Sequence, residues 1–572
     1  MRIFKAFVLV LAACASLGAA RPKSAPVAYT LSPELNGADL VALDVTMRLR
    51  AGPDGTLRLQ LPDSSAGVKE LWRYIRDLRV EGARSVAEDG PGARLVRAAP
   101  GAPLTVRYRV VSAFDHDPGA ADLETYKPTV RPRWFWAYGE ALFVRPARDE
   151  AKATFEWTGG AYPFASDLQH PAGRPMSMDD LLESVAVGGP DLQIFQRDLG
   201  GAPLRVAVVG RYDFPAQVFA DTVTRIISGE RAFWGGHEGP FLVAIAPLTP
   251  LAGSKSARGE GRGDAFAILT SSDMPLEFLK GLVAHEYFHT WNPARLGGSY
   301  EGEREPAAYW FSEGFTDFYA RRLALRMGVF SLEDFVDAWN TMLREYAASP
   351  VVNAPGALIL TDFWKTNQVH QLPYWRGAIL AATWDRELRR RSGGRVGLDQ
   401  VMRAMRAQAA KRGARAPKAP DLFVAVARRY GLDVRDDLAR VMDRGETAQL
   451  PPDAFGPCLR IHNVRLPSYD SGFEVSDADN KRTITGVKPG SPAYAAGLRD
   501  GMLFVRREAG VRGDSRVAYR LRVLDGGAER VISFQPVGQG METLQEIVLP
   551  NKLTPQQRQA CVVQAAGTDG AR

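Results

Sequence analysis

The chain has 572 residues, with 72 basic against 65 acidic side chains and a formal charge of +7. Hydrophobic content of 45% and charged content of 24% are those of a folded globular protein, and the length suits roughly three or four domains. The charge excess is small for this length and argues against a nucleic-acid partner: the densest basic run, Arg389-Arg390-Arg391, ends a helical pattern over 380–388 ahead of Gly393 and Gly394, where cations complement a helix dipole.

In chain order, Arg2 and Lys5 precede Ala6-Phe-Val-Leu-Val-Leu-Ala-Ala-Cys-Ala-Ser-Leu17, an apolar run too short to span a bilayer but suited to a secretory signal, with Gly18, Ala19 and Ala20 as small residues for cleavage. Residues 1–20 are therefore read as a signal peptide, and the protein as exported to a bacterial periplasm or secreted. Leu11-Ala-Ala-Cys14 also has the form of a lipobox, so the alternative is a lipoprotein anchored through Cys14. Membrane contact is expected only in that case. From 21 to 165, short alternating runs such as Leu40-Val-Ala-Leu-Asp-Val-Thr-Met-Arg-Leu49 and Leu104-Thr-Val-Arg-Tyr-Arg-Val-Val111, broken by Pro and Gly, predict an N-terminal β-sandwich. Trp134-Phe-Trp-Ala-Tyr-Gly-Glu-Ala-Leu-Phe143 reads as an aromatic strand, either core between domains or the wall of a cleft.

From 166 to about 272 the pattern is mixed, with strands near 204–209 and 241–245 and a helix over 215–227; helical periodicity then dominates to about 442. Within it, Ala284-His-Glu-Tyr-Phe-His-Thr290 is an H-E-x-x-H element. On a helix, positions i and i+4 share a face, so His285 and His289 can bind one metal while Glu286 acts on water as general base. Ser272 and Asp273 offer N-cap oxygens, Pro275 suits the first turn, and Pro293 stops the run. Downstream, Glu313 lies among Trp310, Phe311, Phe315 and Phe318, where an unpaired carboxylate would be costly to bury. It is the expected third ligand of one Zn2+ per chain. Asp317, four residues on, is placed to accept the second ring N–H of a liganding His. The alternatives are two satisfied core histidines, and two solvated acids on an amphipathic helix.

The segments His285-Glu-Tyr-Phe-His-Thr-Trp291, Trp310-Phe-Ser-Glu-Gly-Phe-Thr-Asp317 and Pro373-Tyr-Trp-Arg-Gly-Ala378 resemble the gluzincins, and within them the glycyl aminopeptidase family. The resemblance implies a multidomain α+β protein: a β-rich N-terminal domain, a thermolysin-like zincin domain over 166–452, and a C-terminal PDZ domain. In the related aminopeptidase N group, a Tyr of a Tyr-x-Lys-Gly-Ala segment hydrogen-bonds the oxyanion. Tyr374 takes that place here, with Arg376 where Lys is usual, and a phenol O–H is a suitable donor for developing negative charge. Relatives carry a Gly-Gly-Leu-Glu-His-like strand before the zinc helix, whose Glu, by the same analogy, binds the substrate's amino group. This chain has Gly259-Glu-Gly-Arg-Gly-Asp-Ala-Phe-Ala-Ile-Leu269 instead. Glu260 or Asp264 stands in as a substrate-binding candidate, and a flexible Gly- and Arg-rich surface loop is the alternative. His370 is a further candidate for the cleft.

After Pro451-Pro452 the pattern is again β-rich. Ser471-Gly-Phe-Glu-Val475 and Ile484-Thr-Gly-Val-Lys-Pro-Gly-Ser-Pro-Ala-Tyr-Ala-Ala-Gly-Leu498 resemble a bacterial PDZ domain over 453–565, with Gly472 and Phe473 in the loop that would hold a peptide C-terminus. Asp500-Gly-Met-Leu-Phe504 departs from the usual continuation. Cys458 and Cys561 bracket this region and in an exported chain can form a disulfide; residues 566–572 are read as a frayed tail. The expected function is an exported zinc metallopeptidase acting on peptides, an aminopeptidase removing N-terminal Gly or Ala. The alternatives are a zinc endopeptidase, and a PDZ peptide-binding protein with a silent metal site.

Overall fold

The computed structural model describes residues 25–567, apart from 66, 120–121, 123–125, 148–151, 170–172, 237–238, 251–254 and 477–481. The signal peptide and Cys14 lie outside the described residues. Among these, no helix is long and apolar enough to cross a membrane.

The alternating runs near the N-terminus form the strands Asp39–Arg50 and Pro103–Val110, antiparallel neighbours with Val45 opposite Tyr108 and Met47 opposite Val106. Leu104, Val106, Tyr108 and Val110 are buried while the residues between them are more exposed, as a period of two requires when one face meets a core. These strands belong to a six-stranded sheet that shares one apolar cluster with a four-stranded sheet built around Thr56–Gln60 and Ala93–Arg97. A second four-stranded sheet contains the aromatic strand Trp134–Tyr138, all of it buried.

Next comes a five-stranded sheet in the order Gln193–Asp198, Pro203–Val208, Phe241–Leu248, Ala265–Ser271, Ala257–Arg262. Its three central strands are parallel and apolar on both faces. The crossover helix Ala216–Trp234, which ends seven residues beyond the sequence pattern, covers one face. On the other face Trp136, Tyr138, Val185 and Val187 pack against small residues, among them Ala244, Ala246 and Ala267. The aromatic strand is thus core between two sheets. The stretch from Gly259 is no flexible loop: it forms the edge strand Ala257–Arg262, paired antiparallel with Ala265–Ser271, with Glu260 opposite Ala267.

The helical part is one continuous apolar core. Helix Leu276–Phe288 packs on Ala216–Trp234, on Gly314–Arg326 and on the edge strand. Its N-cap is Pro275, without a side-chain cap, so neither Ser272 nor Asp273 serves that role. Helix Asn367–Ser392 crosses Gly314–Arg326 at a contact of two glycines: a β-carbon on Gly314 would lie 2.5 Å from the Gly377 Cα. Bare backbones allow this approach, and it sets Glu313 and Tyr374 side by side.

The stretch read as one C-terminal domain divides between two cores. A five-stranded sheet from Glu474–Ser476 to Ala528–Phe534 encloses its own small cluster around Ile484, Leu521 and Val523. The ribbon Arg460–Tyr469 with Val537–Val548, and helix Pro555–Ala566, instead join the large helical core. Asn340 binds both the carbonyl (3.0 Å) and the N–H (2.7 Å) of Ile547 in that ribbon. A Cys458–Cys561 disulfide ties the helix in, with 5.5 Å between the α-carbons. Ala566, assigned to the tail from sequence, is a buried helix residue whose carbonyl accepts from Arg326.

Candidate active site

His285 and His289 lie one helical turn apart on Leu276–Phe288, His289 being its last, capping residue. Glu313 occupies the break between the short helix Tyr309–Ser312 and Gly314–Arg326. The Nε2 atoms of the two imidazoles are 3.2 Å apart, and each is 3.3 to 3.4 Å from Glu313 Oε2. A zinc ion with ligands at about 2.0–2.1 Å in a tetrahedron needs ligand–ligand separations of about 3.3 Å. The donor set and its spacing therefore fit that ion. Behind the ligands, His285 Nδ1 meets Asp317 Oδ1 at 2.9 Å, and His289 Nδ1 donates to the Asn292 carbonyl at 2.8 Å. Both ring orientations are thereby fixed with Nε2 facing inward.

Burial disfavours a charged His285, but the Asp317 and Glu313 carboxylates outweigh it and hold its pKa well above the ordinary value; for His289 burial is likewise overcome, chiefly by Glu313. Burial pushes Glu313 up, yet the two imidazoles draw it far below the carboxylate range. Asp317, pushed up by burial, is pulled down by Arg321, 3.0 Å away, and by His285. Protons on the imidazoles thus balance the carboxylates, and a metal bound by the two Nε2 atoms would displace those protons.

Glu286 faces the edge strand. A β-carbon on Gly259 would come within 3.4 Å of Glu286 Cγ and 2.6 Å of the Phe266 ring, so the strand passes over the glutamate because position 259 has no side chain. The next outward residue, Glu260, receives the Tyr126 hydroxyl and lies 3.6 Å from Arg262. Arg262 is buried, paired with Glu140 at 3.2 Å and Glu183 at 3.1 Å, over the rings of Tyr138 and Tyr126. Three carboxylates surround one guanidinium, and of the three Glu260 is the one whose charge meets that of Glu286. Burial raises the pKa of Glu260, Tyr126 and Arg262 lower it, and Glu286 adds a repulsive contribution. Asp264 is not brought here. It sits in the hairpin turn, where its carbonyl accepts from Leu242 and its charge is felt by Asp167.

Tyr374 lies within helix Asn367–Ser392 rather than at its start, its ring stacked 6.1 Å from His285. Burial and the neighbouring Glu313 raise its pKa far above that of a free phenol, so it keeps its proton. Arg376 turns away: fully buried, it donates to the Val352 and Ala354 carbonyls at 2.9 and 2.7 Å. His370 stacks on Tyr374 at 5.4 Å, and burial lowers its pKa.

Sequence reasoning missed Asn292, Tyr126 and Arg262. Asn292 lies three residues after His289, fully buried, with Nδ2 donating to the Phe311 and Ser312 carbonyls and to Thr316. Proximity to the motif was its only signal. Tyr126 and Arg262 carry none, because their partners come from separate parts of the chain: Tyr126 meets Glu260 of the edge strand, and Arg262 meets Glu140 and Glu183, which belong to two short helical segments far from it in sequence. In the C-terminal sheet, Gly472 has φ 75° and its N–H donates to Asp470, whose carboxylate also pairs with Lys488 Nζ at 2.7 Å. Phe473 is buried in the small core. The amide expected to face a peptide carboxylate is already committed to an acid of the chain.

Comparison with known proteins supports the fold and one segment. No curated protein matches. An aminopeptidase N family protein from Idiomarina loihiensis has the same overall fold, with a TM-score of 0.64, 15% identity, and coverage of 94% of this chain and 100% of that one. An M1 zinc metallopeptidase from Deinococcus radiodurans aligns with a TM-score of 0.41 and 16% identity over 75% of this chain and 94% of that one. Residues 278–355, which carry His285, Glu286, His289, Glu313 and Asp317, match the model of the M61 glycyl aminopeptidase family, so the resemblance read from the sequence holds over this segment.

Proposed function

We propose that the chain is an exported zinc peptidase that removes small N-terminal residues from peptides. The observation that carries the reading is the convergence of one atom each from His285, His289 and Glu313 within 4.8 Å of one another, beside Glu286. Those three residues would hold zinc, which when bound supplies Lewis acidity and makes water more acidic. Glu286 takes a proton from the attacking water and returns it to the leaving amine. The protonated Tyr374 donates to the oxygen on which negative charge develops. The amino group of the substrate fits the Glu260 carboxylate on the edge strand next to Gly259, which favours exopeptidase over endopeptidase action. Asp470 at Gly472 weighs against C-terminal peptide capture as the main role.

The test uses zinc-loaded protein on Gly- and Ala-initiated peptides with free or acetylated amino termini. Cleavage confined to free termini, falling on the order of 10²-fold or more in Glu286→Gln while zinc stays bound, is the expected result. Internal cleavage of acetylated peptides would make the protein an endopeptidase. No cleavage despite bound zinc would remove the enzymatic reading.

A further inference from the structure

Trp364 is 76% exposed, far more than any other large apolar side chain among the described residues. It is held rather than loose. Phe363 meets it edge-on at 4.8 Å and Tyr309 at 6.4 Å, and both of those rings are buried. The segment that leads to it is pinned by the buried Arg376, whose guanidinium binds the Val352 and Ala354 carbonyls just ahead of helix Gly356–Asp362. From Trp364 a series of rings runs inward to the site: His370 at 6.0 Å, Tyr374 at 5.4 Å from His370, and His285 at 6.1 Å from Tyr374.

This series and the acidic cluster flank the metal ligands differently. The edge strand meets the zinc helix at Glu286 through Gly259, whereas the ring series reaches it at His285 through Tyr374. A peptide placed as in the proposed function, with its amino group at Glu260 and its first carbonyl reached by Glu286 and Tyr374, would run from the edge strand toward the rings. Burial keeps the His370 imidazole neutral at neutral pH, so it offers a flat surface and no cation.

We propose that Trp364, with His370 and Tyr374 behind it, seats the side chain that follows the scissile bond, and that this side chain is aromatic or large and apolar. The proposal rests on the peptidase reading above. An exposed Trp anchored along one edge gives a rigid face on which an aromatic ring loses little conformational freedom, and such ring pairs add to the gain from burial.

The experiment compares Gly-Ala-Ala with Gly-Phe-Ala on the zinc-loaded full chain. A kcat/KM ratio favouring Phe by about five- to tenfold, carried by KM, is expected. Trp364→Ala should bring the ratio to about one, and Trp364→Phe should keep most of it. A wild-type ratio near one, or a loss in Trp364→Ala shared equally by both peptides, overturns the proposal. Calorimetric binding of the same peptides to zinc-loaded Glu286→Gln, with and without Trp364→Ala, separates the two readings. If neither peptide is cleaved, the peptidase reading falls, and the seat stands or falls by whether Phe-selective binding depends on Trp364.

Discussion

Asn292 joins the two halves of the metal site through one side chain and one carbonyl. Its carbonyl fixes His289, and its amide holds the carbonyls of Phe311 and Ser312, immediately before Glu313. Asn292→Ala should weaken zinc binding by about 10- to 100-fold, as loss of an outer partner of a metal ligand usually does. Competition against a chromophoric chelator measures it, and unchanged affinity would mean that the segment before Glu313 is held in place without the Asn292 amide. The candidate metal-binding residues were legible because H-E-x-x-H puts two histidines and a glutamate into five positions, with both imidazoles on one helical face. Glu260 could be named only as one of two acids, since nothing local distinguishes a residue over the site from one in the adjoining turn.

Among elements, the crossing of Gly314–Arg326 and Asn367–Ser392 decides the distance from Glu313 to Tyr374. A β-carbon on Gly377 would sit 2.1 Å from the Trp310 carbonyl, which no side-chain rearrangement relieves. Gly377→Ala should therefore push the helices apart, lowering kcat by at least tenfold and destabilising the protein by about 1–3 kcal/mol. Full activity at unchanged Tm would contradict the close crossing. The same helices are joined by a buried charge network: Asp385 binds Arg322 at 2.5 Å, Arg389 at 2.6 Å and the Leu398 N–H at 2.9 Å. Burial opposes its ionisation, but Arg322 and Arg389 prevail and lower its pKa. The folded value lies below the unfolded one near 3.9, so the contribution is complete above that pH and is lost as pH falls through it toward the folded value. Asp385→Asn should cost about 3–5 kcal/mol at neutral pH and less in acid, as followed by urea melts across pH. Helical periodicity revealed these elements, but charged residues in Arg389-Arg390-Arg391 read from sequence as a solvated helix end. Arg389 in fact turns inward, because Asp385 one turn earlier is buried.

For the whole molecule, the Cys458–Cys561 link spans a sequence separation of 103 and fastens the last helix to the helical core from which the small C-terminal sheet projects. Replacing both cysteines with serine should lower stability by about 4–5 kcal/mol on a chain-entropy basis, with zinc affinity little changed. Equal stability of the two forms in thermal melts would show that core contacts alone hold the helix. The sequence by itself determined the β-then-helical order and singled out His285, Glu286, His289 and Glu313, which the fold brings together, because alternation, helical spacing and short motifs are local properties. Tertiary structure decided that the Gly259 stretch is an edge strand passing over Glu286, that Asp264 lies away in the adjoining turn, that residues 453–565 are shared between two cores, and that Tyr126 and Arg262 meet Glu260. These depend on which distant surfaces meet, and burial against a partner far along the chain leaves no periodic trace in the residues that make the contact.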